Sequence, residues 1–286
     1  MLVQGRTVTA EDLRLIRRLL ATHPAWHRTR LSRHLCEFWN WRAPSGRPKD
    51  MACRSLLLKL EARGLLTLPA RQRPPVNAFR NRAIGAMPHE TTPVHGPLPA
   101  LTPLRVEPVG DPDAAALVRC LLARYHYRGY PGQVGESLPY LVAARDGRPL
   151  ACLLFGAAAW RLAARDAYIG WDGAARRQHL AGVTNNLRFL VLPWVTVPHL
   201  ASHVLGRVAR RIAADWVRRY GHRVVLLETF VDPRFRGTCY RAANWVYVGQ
   251  TQGRSRNDRA HQLHVPPKAV YLAPLTPRFR ELLRGG

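Results

Sequence analysis

Apolar residues recur three and four positions apart through residues 9–23, which places Leu13, Ile16, Leu19 and Leu20 on one face of a predicted helix. Thr9 stands where a cap is needed, Glu11 and Asp12 suit the positive N-terminal end, and Pro24 stops the run. A second helix is predicted over roughly 29–39, with Leu31, Leu35 and Phe38 on one face. Asp50 opens a third helix that runs through Arg63 to Gly64 as its C-cap. The apolar run at 65–69 that follows predicts a strand. Three short helices and a strand fit a winged-helix-like module over residues 1–70.

From about residue 109 the pattern alternates between element types. A helix is predicted at 112–125, an aromatic loop at 125–130, and strands at 138–144 and 150–159 around Asp146-Gly147, a strong hairpin signal. Buried strands at 188–193 and 224–231 flank a long helix at 200–220, and a short helix at 237–243 leads to a strand at 245–251. The fold class predicted is α/β in the broad sense, more narrowly α+β: a mixed sheet with helices on its faces over 109–286. Residues 71–108 are rich in proline, carry Arg71, Arg73, Arg80 and Arg82, and lack sustained periodicity, so a basic linker is expected there.

Charge adds a partner to this picture. Among 286 residues, 44 Lys and Arg stand against 18 Asp and Glu, a formal net charge of +26. Lysine occurs only at positions 49, 59 and 268. A GC-rich coding bias exchanges Lys for Arg but does not remove the acids, so the field points to a polyanion, and to DNA before a membrane surface or an acidic protein. Five cysteines in no CxxC pair read as buried free thiols in a reducing compartment. The charged first twenty residues argue against a signal peptide, and no run of eighteen apolar residues suggests a membrane span. A cytoplasmic, nucleoid-associated protein is the expectation.

In a winged-helix-like module the third helix enters the major groove, so Lys49, Arg54, Lys59 and Arg63 are its candidate DNA contacts, with Arg71 and Arg73 following. The alternative for the module is a packing subdomain or a protein-interaction surface. In the larger domain, Tyr127, Arg128 and Tyr130 of the aromatic loop and Arg254 and Arg256 of the loop at 249–256 can stack on bases and grip phosphates. Ordinary loop anchoring is the competing reading of those residues.

The scarce acids are informative where they interrupt apolar strands. Glu228 lies inside the strand at 224–231, where a carboxylate is costly unless it is paired or ligates a metal, and Asp232 falls just past the strand's end. Asp166 and Asp172 bracket the segment 167–171. If the two segments meet, these four carboxylates can hold Mg2+ or Mn2+ for phosphodiester chemistry, with Glu228, Asp232, Asp166 and Tyr240 as candidate catalytic residues. The alternative for Glu228 is a buried arginine partner such as Arg188, and Asp166 can simply order its loop beside Arg165. Tyr240, flanked by Arg236 and Arg241, suits an acid or a covalent nucleophile toward phosphate; its alternative is a core residue whose hydroxyl finds a partner.

Several segments together carry a family resemblance: residues 31–36 (LSRHLC), 49–69, 125–130 (YHYRGY), 165–171 (RDAYIGW), 185–193 (NNLRFLVLP), 228–232 (ETFVD), 237–245 (GTCYRAANW) and 249–256 (GQTQGRSR). As a set they resemble the DruA family of the Druantia antiphage defence system, which includes stand-alone members near mobile genetic elements. The resemblance implies a DNA-related role in defence or mobility and assigns no catalytic residue. A second, topological resemblance is to the acetyltransferase fold of the GNAT type, whose strand, long helix, strand and short helix occur in the order found at 188–193, 200–220, 224–231 and Tyr240. That fold implies a glycine-rich pyrophosphate loop near 197–203, where no glycine stands. The leading expectation is a DNA-processing protein that cuts or transfers a strand. Its alternatives are a non-catalytic DNA-binding subunit that recruits a helicase or transposase, and an acyltransferase descendant.

Overall fold

The computed structural model describes residues 2–3, 6–72, 84–130, 132–253 and 265–285. They divide into two compact units, 1–78 and 79–286.

The first unit begins with a two-stranded ribbon in which β1 (Leu2–Val3) pairs antiparallel with β2 (Arg6–Thr7). Helix α1 (Ala10–Thr22) follows behind a reciprocal cap: the Thr9 hydroxyl accepts from the Asp12 N–H, and the Asp12 carboxylate accepts from the Thr9 N–H. Helices α2 (Arg28–Phe38) and α3 (Asp50–Glu61) complete the expected trio. Their periodic faces meet, burying Ile16, Leu31, Leu35, Cys36, Cys53, Leu56, Leu57 and Leu60 in one core, while Phe38, predicted on the inner face, stands exposed.

The strand expected at 65–69 does not form. Side chains satisfy its backbone instead. Arg17 donates to the Leu65 carbonyl, Arg28 to that of Pro69, and the Glu61 carboxylate accepts from the Leu68 N–H, while Leu66 and Leu68 turn into the core. With its polar groups taken in this way, the segment has no need of a ladder partner.

The second unit opens inside the stretch expected to be a linker. β3 (Val94–His95), a 3-10 turn at Leu98–Leu101 and β4 (Arg105–Pro108) lie there. The chain continues with α4 (Pro112–Tyr125), β5 (Ser137–Ala143), β6 (Pro149–Ala157), α5 (Ala163–Ile169), α6 (Gly173–His179), β7 (Val183–Val191), β8 (Val195–Thr196) and α7 (Leu200–Tyr220). It ends with β9 (Leu226–Val231), α8 (Thr238–Ala242), β10 (Val246–Gln250), β11 (Ala269–Pro274) and α9 (Phe279–Arg284).

Seven strands form one mixed sheet in the order β10-β11-β9-β7-β6-β5-β4, and β3 pairs with β8 in a separate parallel ribbon. The β5–β6 hairpin turns at Asp146-Gly147, where the glycine takes the left-handed conformation at φ 94° that a side chain would resist. Leu200, Val204, Leu205, Val208, Ile212 and Trp216 of α7 fall on one stripe and join the core of the sheet. Two sequence readings ran short. β11 and helices α5, α6 and α9 have no counterpart among the predicted elements, and β7 begins five residues before the predicted strand, through the polar run Thr184-Asn185-Asn186.

All ladders of this sheet are antiparallel except the central one. β7 and β9 run parallel and pair only at 183–185 with 226–228. Beyond that point β7 stays with β6 and β9 stays with β11, so the two central strands part and a notch opens between them. At its apex the Thr229 hydroxyl donates to the Asn186 carbonyl and the Tyr240 hydroxyl to the Asn186 side chain, fastening the fork. Leu187 is an extra residue on β7: Asn186 pairs with Phe155 but Arg188 pairs with Leu154. Such a bulge re-aims the side chain that follows it, here Arg188.

Candidate nucleic-acid interface

The acids singled out in the sequence do not form one ligand set. Glu228, fully buried on β9, accepts from Arg165 (2.8 Å) on one carboxylate oxygen and from the Ala159 N–H (2.8 Å) and Asn185 side chain (2.9 Å) on the other. The expectation of an arginine partner holds, but the arginine is Arg165 and not Arg188. Arg165 is itself fully buried and binds Asp166 as well, and Arg176 reaches the second oxygen of Asp166. Burial alone would raise the Asp166 carboxyl, but these guanidinium groups hold it below the ordinary carboxylate range. Asp172 caps α6 by accepting from the N–H groups of Ala174 and Ala175, which also lowers its pKa. Asp172 is thus exposed at a helix start, whereas half-buried Asp232 is clasped by Arg234.

The four acids expected to hold Mg2+ or Mn2+, Glu228, Asp232, Asp166 and Asp172, are thus each found with other partners. All four carboxylates are engaged by arginines or helix N–H groups, and among the described residues no group of three or more His, Cys, Asp or Glu could hold a metal ion. Tyr240 has the surroundings of the alternative reading, a core residue whose hydroxyl finds a partner. It packs among Phe189, Trp245 and Tyr271, its hydroxyl donates to Asn186 at 2.8 Å, and burial pushes its pKa far up, which keeps it protonated.

What the sheet does assemble is a cationic and aromatic cluster at the notch. Arg188 on β7 donates to the Gly129 carbonyl at 3.0 Å and so ties the aromatic loop to the strand. This brings Tyr127, Arg128 and Tyr130 beside Arg188, while Asp232, Arg234 and Phe235, just past β9, approach from the other arm. Tyr127 stacks on His126 (4.6 Å between ring centroids), leans on Phe235 (5.0 Å) and has the Arg234 guanidinium 4.5 Å from its ring centre. Lys268, leading into β11, lies within electrostatic reach of Arg128, Arg188 and Arg234.

The electrostatics are those of crowded positive charge. Burial, then Arg128, lowers the pKa of both Arg188 and Lys268. Burial, then Arg188 and Arg128, drives His126 down to about 4, so its ring is neutral and its Nδ1 accepts from the Arg128 N–H at 3.1 Å. Asp232, lowered by its hydrogen bond from Arg234, is the cluster's carboxylate, and among the described residues Arg234 alone of the four cations has a carboxylate within salt-bridge distance.

In the first unit, α3 presents a mixed outer face. Lys59 and Arg63 are exposed, as are Met51 and Leu58, while Arg54 is held by Asp50, and half-buried Lys49 immediately precedes the helix. Arg71 is exposed just beyond the core. Arg73, Arg254 and Arg256 lie outside the described residues. The sequence reading found Tyr127, Arg128, Tyr130 and Asp232 but missed Arg188, Arg234, Phe235 and Lys268 as members of one cluster. The bulge-forming NNLRF and the Asp-Pro-Arg-Phe of 232–235 were the available signals.

The strand order, the lone parallel pair at the centre and the α7–β9–α8 succession define an α+β protein with GNAT-like topology. The chain belongs to the DruA family: residues 66–265 match the model described as Druantia protein DruA. Similar solved structures include a spermidine N-acetyltransferase from Vibrio cholerae in complex with CoA and spermine, 7% identical with a TM-score of 0.40 over 60% of this chain and 95% of that one. Others are the ribosomal-protein-S5-alanine acetyltransferase from Vibrio fischeri (7% identical, TM-score 0.38, 61% and 94% coverage) and the ribosomal-protein-S18-alanine N-acetyltransferase from Escherichia coli (9%, 0.37, 60% and 94%). No curated protein matches the chain. Among the described residues no helix is long and apolar enough to cross a membrane.

Proposed function

We propose that this DruA-family chain is a nucleic-acid-binding protein of antiphage defence or of mobile DNA, acting as a binding subunit and not through metal chemistry at Glu228. The observation that carries this reading is the notch cluster: Arg128, Arg188, Arg234 and Lys268 converge on one site with aromatic rings and a single carboxylate. Four cations held this close raise one another's cost, and phosphates are the groups that relieve it. The net charge of +26 and the exposed Lys59, Arg63 and Arg71 of the first unit extend the same attraction. A partner helicase or transposase would supply the chemistry that these acids and Tyr240 are not arranged to perform.

The test is binding of the full chain to labelled duplex and single-stranded DNA across salt. Affinity is expected to fall by orders of magnitude between about 50 and 200 mM salt. Affinity that stays flat over this range overturns the reading. Cleavage or joining of either substrate in the presence of magnesium would restore the strand-transfer alternative.

A further inference from the structure

The two arms of the notch bring an aromatic pair, and not charge alone, to the surface. Tyr127 comes from the loop after α4 and Phe235 from the turn after β9, more than a hundred positions apart, and their rings meet with centroids 5.0 Å apart. Tyr127 is 44% exposed and Phe235 52%. A structural role does not require Phe235 to stand in water, because Tyr127 is already supported by His126 on one side and capped by the Arg234 guanidinium at 4.5 Å. The second ring adds an apolar face beside the cations, and that is the one thing a purely phosphate-binding site has no use for.

Building on the nucleic-acid reading above, we infer that the notch takes an unpaired nucleotide of a single strand, with a base against Phe235, which Tyr127 supports, and the flanking phosphates on Arg128, Arg188 and Lys268. In duplex DNA the faces of the bases are stacked on their neighbours and only the edges are offered to a protein, so exposed rings have no partner there. An unpaired base presents a π-face, and stacking on aromatic side chains beside a cationic groove is how proteins hold single strands without reading sequence. The arrangement of charge agrees. Arg234 is already occupied by Asp232 at 2.8 Å and leans over the Tyr127 ring, whereas Arg128 and Lys268 have no carboxylate within salt-bridge distance among the described residues. The half-buried positions of Arg188 at the fork and of Lys268 at the start of β11 suit a strand lying in the notch better than the convex backbone of a duplex.

Three ligands of equal length separate this inference from the reading it rests on: oligo(dT), a base-free abasic strand, and a duplex, each titrated against the full chain by fluorescence anisotropy. The intact chain is expected to bind oligo(dT) more tightly than the abasic strand. Phe235→Ala, an exposed position whose loss leaves the core intact, is expected to weaken oligo(dT) binding by about tenfold and leave the abasic strand and duplex unchanged. Tyr127→Ala should do the same, and Phe235→Trp should restore binding. Equal affinity for oligo(dT) and the abasic strand, or an equal loss on all three ligands in Phe235→Ala, overturns the unpaired-base inference while leaving the nucleic-acid reading in place. No binding to any of the three overturns both.

Discussion

Arg165 and Glu228 form a 2.8 Å ion pair in which neither side chain has any solvent exposure, and the pair is completed by the Asn185 amide and the Ala159 N–H. Two charges withdrawn from water hold together only while each has its full set of partners.

Glu228→Gln is therefore expected to destabilise the protein by about 3 kcal/mol, toward the lower end for a broken buried pair because Arg165 keeps Asp166. The new amide can still accept from Ala159 and Asn185, but its nitrogen then faces the Arg165 donor. Urea unfolding monitored by circular dichroism measures the loss. Replacing both partners, Arg165→Met with Glu228→Leu, should recover part of it, since the Ala159 N–H and the Asn185 amide still lose their acceptor. A stable Glu228→Gln variant would show that the pair does not carry this part of the core.

Asp232→Asn should tighten nucleic-acid binding by roughly fivefold at moderate salt, since it removes the carboxylate that competes with phosphate for Arg234 and Lys268. A catalytic or metal-ligating Asp232 predicts the opposite direction. Equilibrium titration of the variant beside the parent chain distinguishes the two by sign.

Arg128→Ala and Lys268→Ala are each expected to reduce the slope of log affinity against log salt by about 1, the mark of one lost phosphate contact. Arg278→Ala serves as the control, because Arg278 is paired with Glu281 on a remote exposed helix end. A slope unchanged in both notch variants would remove the cluster from the interface.

His126 gives the protein a pH dependence of definite sign. Its folded pKa of about 4 lies below its ordinary value of 6.5, with burial as the main cause and Arg188 and Arg128 next. Between these values the unfolded chain binds the extra proton, so stability is present above about pH 6.5 and is lost as pH falls toward 4, by up to about 3 kcal/mol. Protonation also abolishes the Nδ1 acceptor that holds the Arg128 N–H. Melting temperature followed across this range should decline in the parent chain and lose most of that decline in His126→Gln.

The elements most legible in the sequence were those whose signal is local. The helix at Pro112–Tyr125 was read at its observed bounds, Thr9 was read as a cap, and Asp146-Gly147 was read as the hairpin turn, because each depends on neighbours within a few residues. β7 was misjudged at its start because Thr184, Asn185 and Asn186 look like a loop. They are buried polar residues that exchange hydrogen bonds with Gly156, Glu228 and Tyr240. The partners of the buried acids were illegible for the same physical reason. Glu228, Asp166 and Arg165 are separated by up to 63 positions, and a sequence states the cost of a buried carboxylate without stating which arginine offsets it. The notch cluster was half legible. Tyr127, Arg128 and Tyr130 share one loop, but their partners Arg188, Phe235 and Lys268 reach them only through the parting of β7 and β9.

The place of β11 sets the order in which this protein can become whole. The last strand among the described residues is not at the sheet's margin but between β10 and β9, along the full length of β9. Until Ala269–Pro274 has emerged, β9 has one neighbour instead of two, and β10 has none. A ribosome-bound nascent chain thus carries a gap one strand in from the margin of its sheet, next to the very strand that bears Glu228. A frameshift or early stop anywhere before residue 269 removes an interior plank and not a dispensable tail, and the truncated product offers other chains two unsatisfied edges to which they can bind.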